Sequence, residues 1–172
     1  PYNAVNGVVC LSTNVTPRNQ WFHWAVTRDS TGDFRLFTNG NLDSTNTSYR
    51  SVDISPGGNQ PFVIGSTTDR AVSEPYEGLI SNVRVVKGTA VYTSSFTVPT
   101  SPVADVTNTK LLANFTNAAM FDQTGKTNIN TIGNAQLDTS IKKFGTASAK
   151  FDEGGDYLVI NTGLGLYLRS GP

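Results

Sequence analysis

The chain has 172 residues, enough for one domain with a real hydrophobic core. Its apolar content of 37% is low-normal, and 16 glycines and 8 prolines suit many short strands joined by many turns. Lys plus Arg and Asp plus Glu both number 13, so the net charge is zero and no field draws the chain to nucleic acid or an acidic membrane. In chain order, the densest strand signal is WFHWAVTR, Trp21 to Arg28. Both its faces are largely apolar, which predicts a strand inside a sandwich with Trp21 and Trp24 in the core. Asp29 to Asp33 is a turn cluster, and Phe34 to Thr38 (FRLFT) is a second strand closed by Asn39-Gly40. That pair favours the left-handed backbone of a tight hairpin, so residues 21 to 45 read as a three-strand meander.

Ser55 to Asn59 (SPGGN) is a loop, Phe62 to Gly65 (FVIG) a short buried strand, and Thr67 to Pro75 a polar loop. Tyr76 to Val86 reads as one long strand, with Leu79, Val83 and Val85 toward the core. Lys87-Gly88 ends it, and Ala90 to Ser94 is long enough for one helical turn. Pro99 and Pro102 stiffen the end of this tail. Tyr92 and Phe96 read as its apolar anchors, and beyond them it becomes the exit toward a next unit. A strand falls around Leu111 to Phe115, followed by a polar, turn-rich stretch from Asp122 to Asp138. Ala147, Ala149 and Phe151 then alternate with Ser148, Lys150 and Asp152, and Gly154-Gly155 turns into Tyr157 to Ile160. No segment carries an extended helical period with caps, so the fold class is all-β.

These residues resemble a known family. WFHWAVTRDSTGDFRLFTNG, FVIGS and YEGLISNVRVVKGTAVYTSSFTVPTSPV are similar to the Trp-containing and closing segments of laminin-G-like, concanavalin A-type jelly-roll domains. The likeness runs from about Asn19 to Val103 and is nearest to the tandem repeats of bacteriophage structural proteins, marine cyanophage proteins in particular. LLANFTNAAMFDQTGKTNINTIGNA and KFGTASAKFDEGGDYLVI resemble the opening of such a domain, but stand after its end. Residues 1–103 are therefore expected to be the C-terminal portion of a jelly roll. Residues 104–172 are expected either to complete the same two-sheet antiparallel sandwich or to lead into a following repeat. The chain starts at Pro1 and reads as a piece of something longer.

The resemblance implies a non-enzymatic virion surface module, in a fibre, spike or decoration, that packs against copies of itself and other virion proteins and adheres to host-surface polysaccharide. The alternative is a carbohydrate-binding module of a bacterial secreted enzyme or adhesin. Glucanases share the fold and need two carboxylates across a cleft. Of the only glutamates, Glu74 and Glu77 lie three apart, on opposite faces of a strand, and Glu153 is remote, so the glucanase pattern is missing. His23 is the sole histidine and reads as structural; Gly163 and Gly165 lack the strand-to-helix context of a phosphate loop.

Cys10 is the single cysteine, which excludes an intrachain disulfide and fits a bacterial or viral product made in a reducing cytoplasm. No apolar run approaches the ~20 residues of a membrane helix, and no signal peptide is visible. Asn14, Asn46 and Asn114 head acceptor tripeptides for glycosylation, which chance explains in a chain this rich in Asn and Thr. Sugar sites of this fold combine aromatic platforms with polar loop residues, and Asn46, Tyr49, Arg70, Tyr76 and Tyr92 are the candidates. Asp122, Asp152 and Asp156 stand where family members can hold a structural Ca²⁺, although turn capping explains them as well.

Overall fold

A computed structural model describes residues 10–51, 61–66, 76–116 and 119–160. Among them are eleven strands, no helix, and only antiparallel pairings. The chain divides into two compact units. The first contains Pro1–Ser55, Gly88–Thr100 and Leu168–Pro172, and the second Pro56–Lys87 and Ser101–Tyr167.

The first unit is a meander of β1 (Trp24–Arg28), β2 (Phe34–Thr38) and β3 (Asn41–Asn46), in that order. Asn39 and Gly40 both have positive φ, 51° and 79°, as the two central residues of a tight hairpin require. The Asp29 carboxylate builds the preceding turn, accepting from the Thr31 and Asp33 N–H groups at 2.9 and 3.1 Å and pairing with Arg35 at 2.5 Å. The segment Gly88–Thr100 contains no helical turn. It lies along this sheet as a strap, with the Phe96 N–H donating to the Gly40 carbonyl at 2.8 Å and the Leu42 N–H to the Ser95 hydroxyl at 3.0 Å. A side chain at Gly40 would overlap the Phe96 carbonyl oxygen, so the glycine is needed for closeness as well as for its backbone angle.

The second unit holds β4 (Phe62–Ile64), β5 (Glu77–Ile80), β6 (Val83–Val86), β7 (Thr109–Ala113), β8 (Ile129–Ile132), β9 (Gln136–Asp138), β10 (Ser148–Asp152) and β11 (Tyr157–Ile160). They form sheets β5-β10-β9, β4-β11-β8 and β6-β7. Strands from the end of the chain are thus central: β10 pairs Phe151 with Gly78, and β11 pairs Val159 with Val63. The alternation of β10 holds for Ala149 and Phe151, buried with Leu111, Ala113, Phe115, Leu158, Ile160 and Ile64, against exposed Lys150 and Asp152, but Ser148 is fully buried. Each large side chain of this cluster contributes about 1.5–3 kcal/mol on burial. Gly65 keeps room for the Phe151 ring, 2.6 Å from where a Cβ would stand.

Two sequence expectations are corrected in this unit. Tyr76 to Val86 is not one strand, because Asn82 at φ 60° breaks it and reverses the alternation. Ile80, not Leu79, packs on the core together with Val83 and Val85, and Leu79 stands opposite the exposed Lys150. The Asn82 side chain accepts from the Val103 N–H at 3.1 Å, and Asn114 donates to the Val103 carbonyl at 2.9 Å. The chain leaves the first unit at Thr100 and enters the second at Ser101, and residues beyond Pro102 lead into β7, which pairs with β6. The stretch Asp122 to Asp138 also contains two short strands, β8 and β9, which belong to different sheets and are joined by a turn with Gly133 at φ 70°.

Candidate functional site

Of the candidate sugar-binding residues, Asn46, Tyr49 and Tyr92 belong to the first unit and Tyr76 to the second. Arg70 lies outside the described residues, as do Glu74, Gly163 and Gly165. Asn46 lines a shallow polar groove of about 350 Å³ in the first unit, together with Cys10, Leu11, Ser44, Thr45, Thr47 and Ser48. Its side chain oxygen accepts from the Ser48 N–H at 2.8 Å, an Asx turn that shapes the loop. Burial raises the Cys10 thiol above its ordinary value, and bonds to Ser44 and Asn46 partly offset this. Tyr49 is half-buried, and its carbonyl accepts from Arg28 at 3.4 Å. Tyr76 belongs to the second unit, where its ring meets Phe151 edge-on, 6.0 Å between centroids. Desolvation raises its phenol above the ordinary value.

Tyr92 is no free platform. Its ring stacks on Phe96 at 3.5 Å and 7°, and both rings meet Phe37 edge-on at 6.3 and 5.5 Å. His23 adds edge contacts of 6.2 and 5.4 Å to the same two rings. The Thr27 hydroxyl donates to the Tyr92 carbonyl at 2.9 Å. The strap is thus fixed by rings that sit over the side of β1 carrying His23, Ala25 and Thr27.

That choice of face turns Trp24 outward, against the sequence expectation that it lies in the core. The small Ala25 pairs with Phe37 and leaves room for the strap's rings, so the bulkier alternate residues must point the other way. Trp24 is 62% exposed, with Phe22 at 37% and Val26 at 46% beside it, whereas Trp21 is half-buried. Trp24 pairs with Thr38, whose hydroxyl lies 3.2 Å from Asp43. Asp43 also accepts from the Thr13 N–H at 3.0 Å, the Asn14 amide at 2.9 Å, and the Ser12 and Thr13 hydroxyls at 2.5 and 2.6 Å. These donors, the Ser12 and Thr13 hydroxyls foremost, lower its carboxyl to about 2. A polar knot therefore flanks an exposed indole. Hydrophobicity points the wrong way here, because the strap and not the local pattern decides which side of β1 is covered.

The acidic candidates work as turn organisers. Asp122 is 4% exposed, and one oxygen accepts from the Leu112 and Thr124 N–H groups at 2.9 and 3.0 Å. The other accepts from the Thr124 hydroxyl at 2.7 Å and the Lys126 and Thr127 N–H groups at 3.1 Å. Burial would raise this carboxyl, but the Thr124 hydroxyl and the backbone donors outweigh it and lower it. Asp156 accepts from the Asn134 and Asp152 N–H groups at 2.8 and 3.1 Å, and Asp152 from the Asn134 amide at 2.9 Å. The Asn134 bond, then Asp156, lowers the Asp152 carboxyl. Five protein donors already fill the roughly four lone-pair sites of Asp122, so it does not fit a calcium ligand. Among the described residues no group of three or more His, Cys, Asp or Glu side chains is placed to hold an ion.

Short antiparallel strands around a dry apolar cluster, with function left to surface side chains, define an all-β sandwich module of the concanavalin A-like class. The chain belongs to the laminin G-type family described as the concanavalin A-like lectin/glucanases superfamily, whose model matches residues 2–92. Neither the curated proteins nor the solved structures yield a match.

Proposed function

We propose that the chain is a non-catalytic carbohydrate-binding module on a virion surface, in a fibre, spike or decoration, where copies of the chain and other virion proteins surround it and host polysaccharide is its ligand. The family match over residues 2–92 carries the carbohydrate part, because lectins and glucanases of this superfamily both act on sugars. The carboxylates favour binding over hydrolysis. A glycosidase needs one carboxyl raised enough to act as acid. Among the described residues, the shifted aspartates Asp29, Asp33, Asp43, Asp122, Asp138 and Asp152 are all lowered by hydrogen bonds or arginine partners. The virion setting is supported by the likeness of KGTAVYTSSFTVPTSPV to the closing segment of phage repeats. In this reading strands from residues 104–172 complete the sheets begun by residues 62–80, as the pairing of β10 and β11 with β5 and β4 supports.

The test is retention on a panel of immobilised polysaccharides with a parallel assay for new reducing ends. Retention without new reducing ends is expected. Release of reducing sugar makes the chain an enzyme, and no retention on any polysaccharide ends the module reading. The module needs no metal for stability, so its melting temperature is expected to be the same in EDTA and in Ca²⁺; a midpoint raised by Ca²⁺ overturns that. Mass spectrometry of purified particles decides the virion setting.

A further inference from the structure

We infer that Trp24 is the stacking platform of the carbohydrate site, and that the ligand is a neutral chain of β-linked hexopyranoses lying along β1. The inference rests on the proposed module function and adds its location and ligand class. The location is set by the alternation of β1. His23, Ala25 and Thr27 are occupied by the strap, so Phe22, Trp24 and Val26 form an outward strip. Ladder and turn bonds hold the strip: Trp24 pairs with Thr38, and the Asn39 N–H donates to the His23 carbonyl at 2.8 Å. An indole so held stacks on a sugar at small entropic cost.

The chemistry of the ligand is dictated by the groups that border the indole. A protein partner generally needs ~800 Å² on each side with an apolar centre. This strip is one strand wide: Thr38 stands opposite Trp24, and the side chain opposite Val26, Leu36, is buried. A pyranose ring matches that width. Its C–H face covers the indole while its rim hydroxyls meet the hydroxyl and carboxamide groups of Thr38 and Asn14, which are held by Asp43. Asp43 already accepts from five protein donors and is ionised at neutral pH, so its part is to repel carboxylated sugars. A β-linked gluco- or galacto-configured chain presents flat C–H faces, whereas a uronate chain brings like charge to Asp43.

The experiment titrates the full chain with cellohexaose, β-1,4-galactohexaose and a hexagalacturonate, by calorimetry and by tryptophan fluorescence in a Trp21→Phe background that leaves Trp24 as the only indole. Binding of at least one neutral probe is expected, with a change in Trp24 emission and at least tenfold weaker binding of the uronate. Trp24→Ala is expected to weaken neutral-probe binding at least tenfold at an unchanged melting temperature. Asp43→Asn is expected to narrow the gap between neutral and uronate probes. Trp24→Ala binding like the wild type overturns the inference while leaving the module reading intact. So does wild-type retention on the polysaccharide panel without binding of either neutral hexasaccharide. Sedimentation of the wild type as a dimer that Trp24→Ala dissociates, with no response to sugar, reassigns the strip to self-contact. Absence of retention on the whole panel removes the module reading itself.

Discussion

The two units treat their aromatic side chains in opposite ways. In the second, Phe115 and Phe151 are enclosed by aliphatic residues from eight strands, and every large apolar residue of β10 and β11 is buried or half-buried. In the first, three short strands cannot enclose a core alone, and a strap without regular structure brings Tyr92 and Phe96 to close one face over Phe37. The other face keeps Trp24 in water. The difference teaches where each unit's specificity comes from. The second is defined by strand pairing and packing, and the first by a segment that occupies one side of β1 while Trp24 and Val26 on the other side stay exposed.

Phe151→Ala should break the comparison hardest. Phe151 is 1% exposed, fills the space that Gly65 leaves for it, and faces β5 through Gly78. Truncation should cost about 3–5 kcal/mol, read as a lower urea midpoint; a loss below about 1 kcal/mol would mean that the cluster is not the unit's core. Phe96→Ala should cost less, about 2–3 kcal/mol, because the ring is only half-buried although it touches Tyr92, Phe37 and His23. Its distinctive signature is local. Hydrogen exchange should accelerate at Leu42 and Phe96, whose N–H groups hold the strap, while β10 and β11 keep their protection. Uniform acceleration would show that strap and second unit unfold together.

The meander, its Asn39-Gly40 turn and the alternation of β10 were legible because each rests on local chemistry. Period-two patterning and a left-handed pair of turn residues suffice. Three features were not legible, each because a distant segment decides it. Asn82 looks like any polar residue within a strand, and only its bond to Val103 shows that it kinks the chain. Strands β8 and β9 hide in a polar stretch because much of them is exposed, so they lack apolar alternation. Trp24 looks like core until the strap is placed on the opposite face. Of the site, Asn46 ends β3 and lines a groove, but the indole that carries the proposal reads from sequence as interior.

The smallest effect concerns the knot that borders Trp24. Asp43 is lowered to about 2, chiefly by the Ser12 and Thr13 hydroxyls. An unfolded aspartate titrates near ~3.9. The group therefore favours the folded state fully above that value, and its contribution is lost as pH falls through about 2. Residues 12–14 are joined to β3 through this carboxylate, so proteolysis near Leu11–Asn14 should stay slow from neutral pH down to about 4 and rise only toward pH 2. Pepsin cleavage, which works in that range, reads this directly. Asp43→Asn removes the titration and should release the segment at every pH without moving the urea midpoint of the second unit. If cleavage in the wild type instead rises near pH 4, the hydroxyls do not hold the carboxylate, and the polar border proposed for the indole is looser than the knot implies.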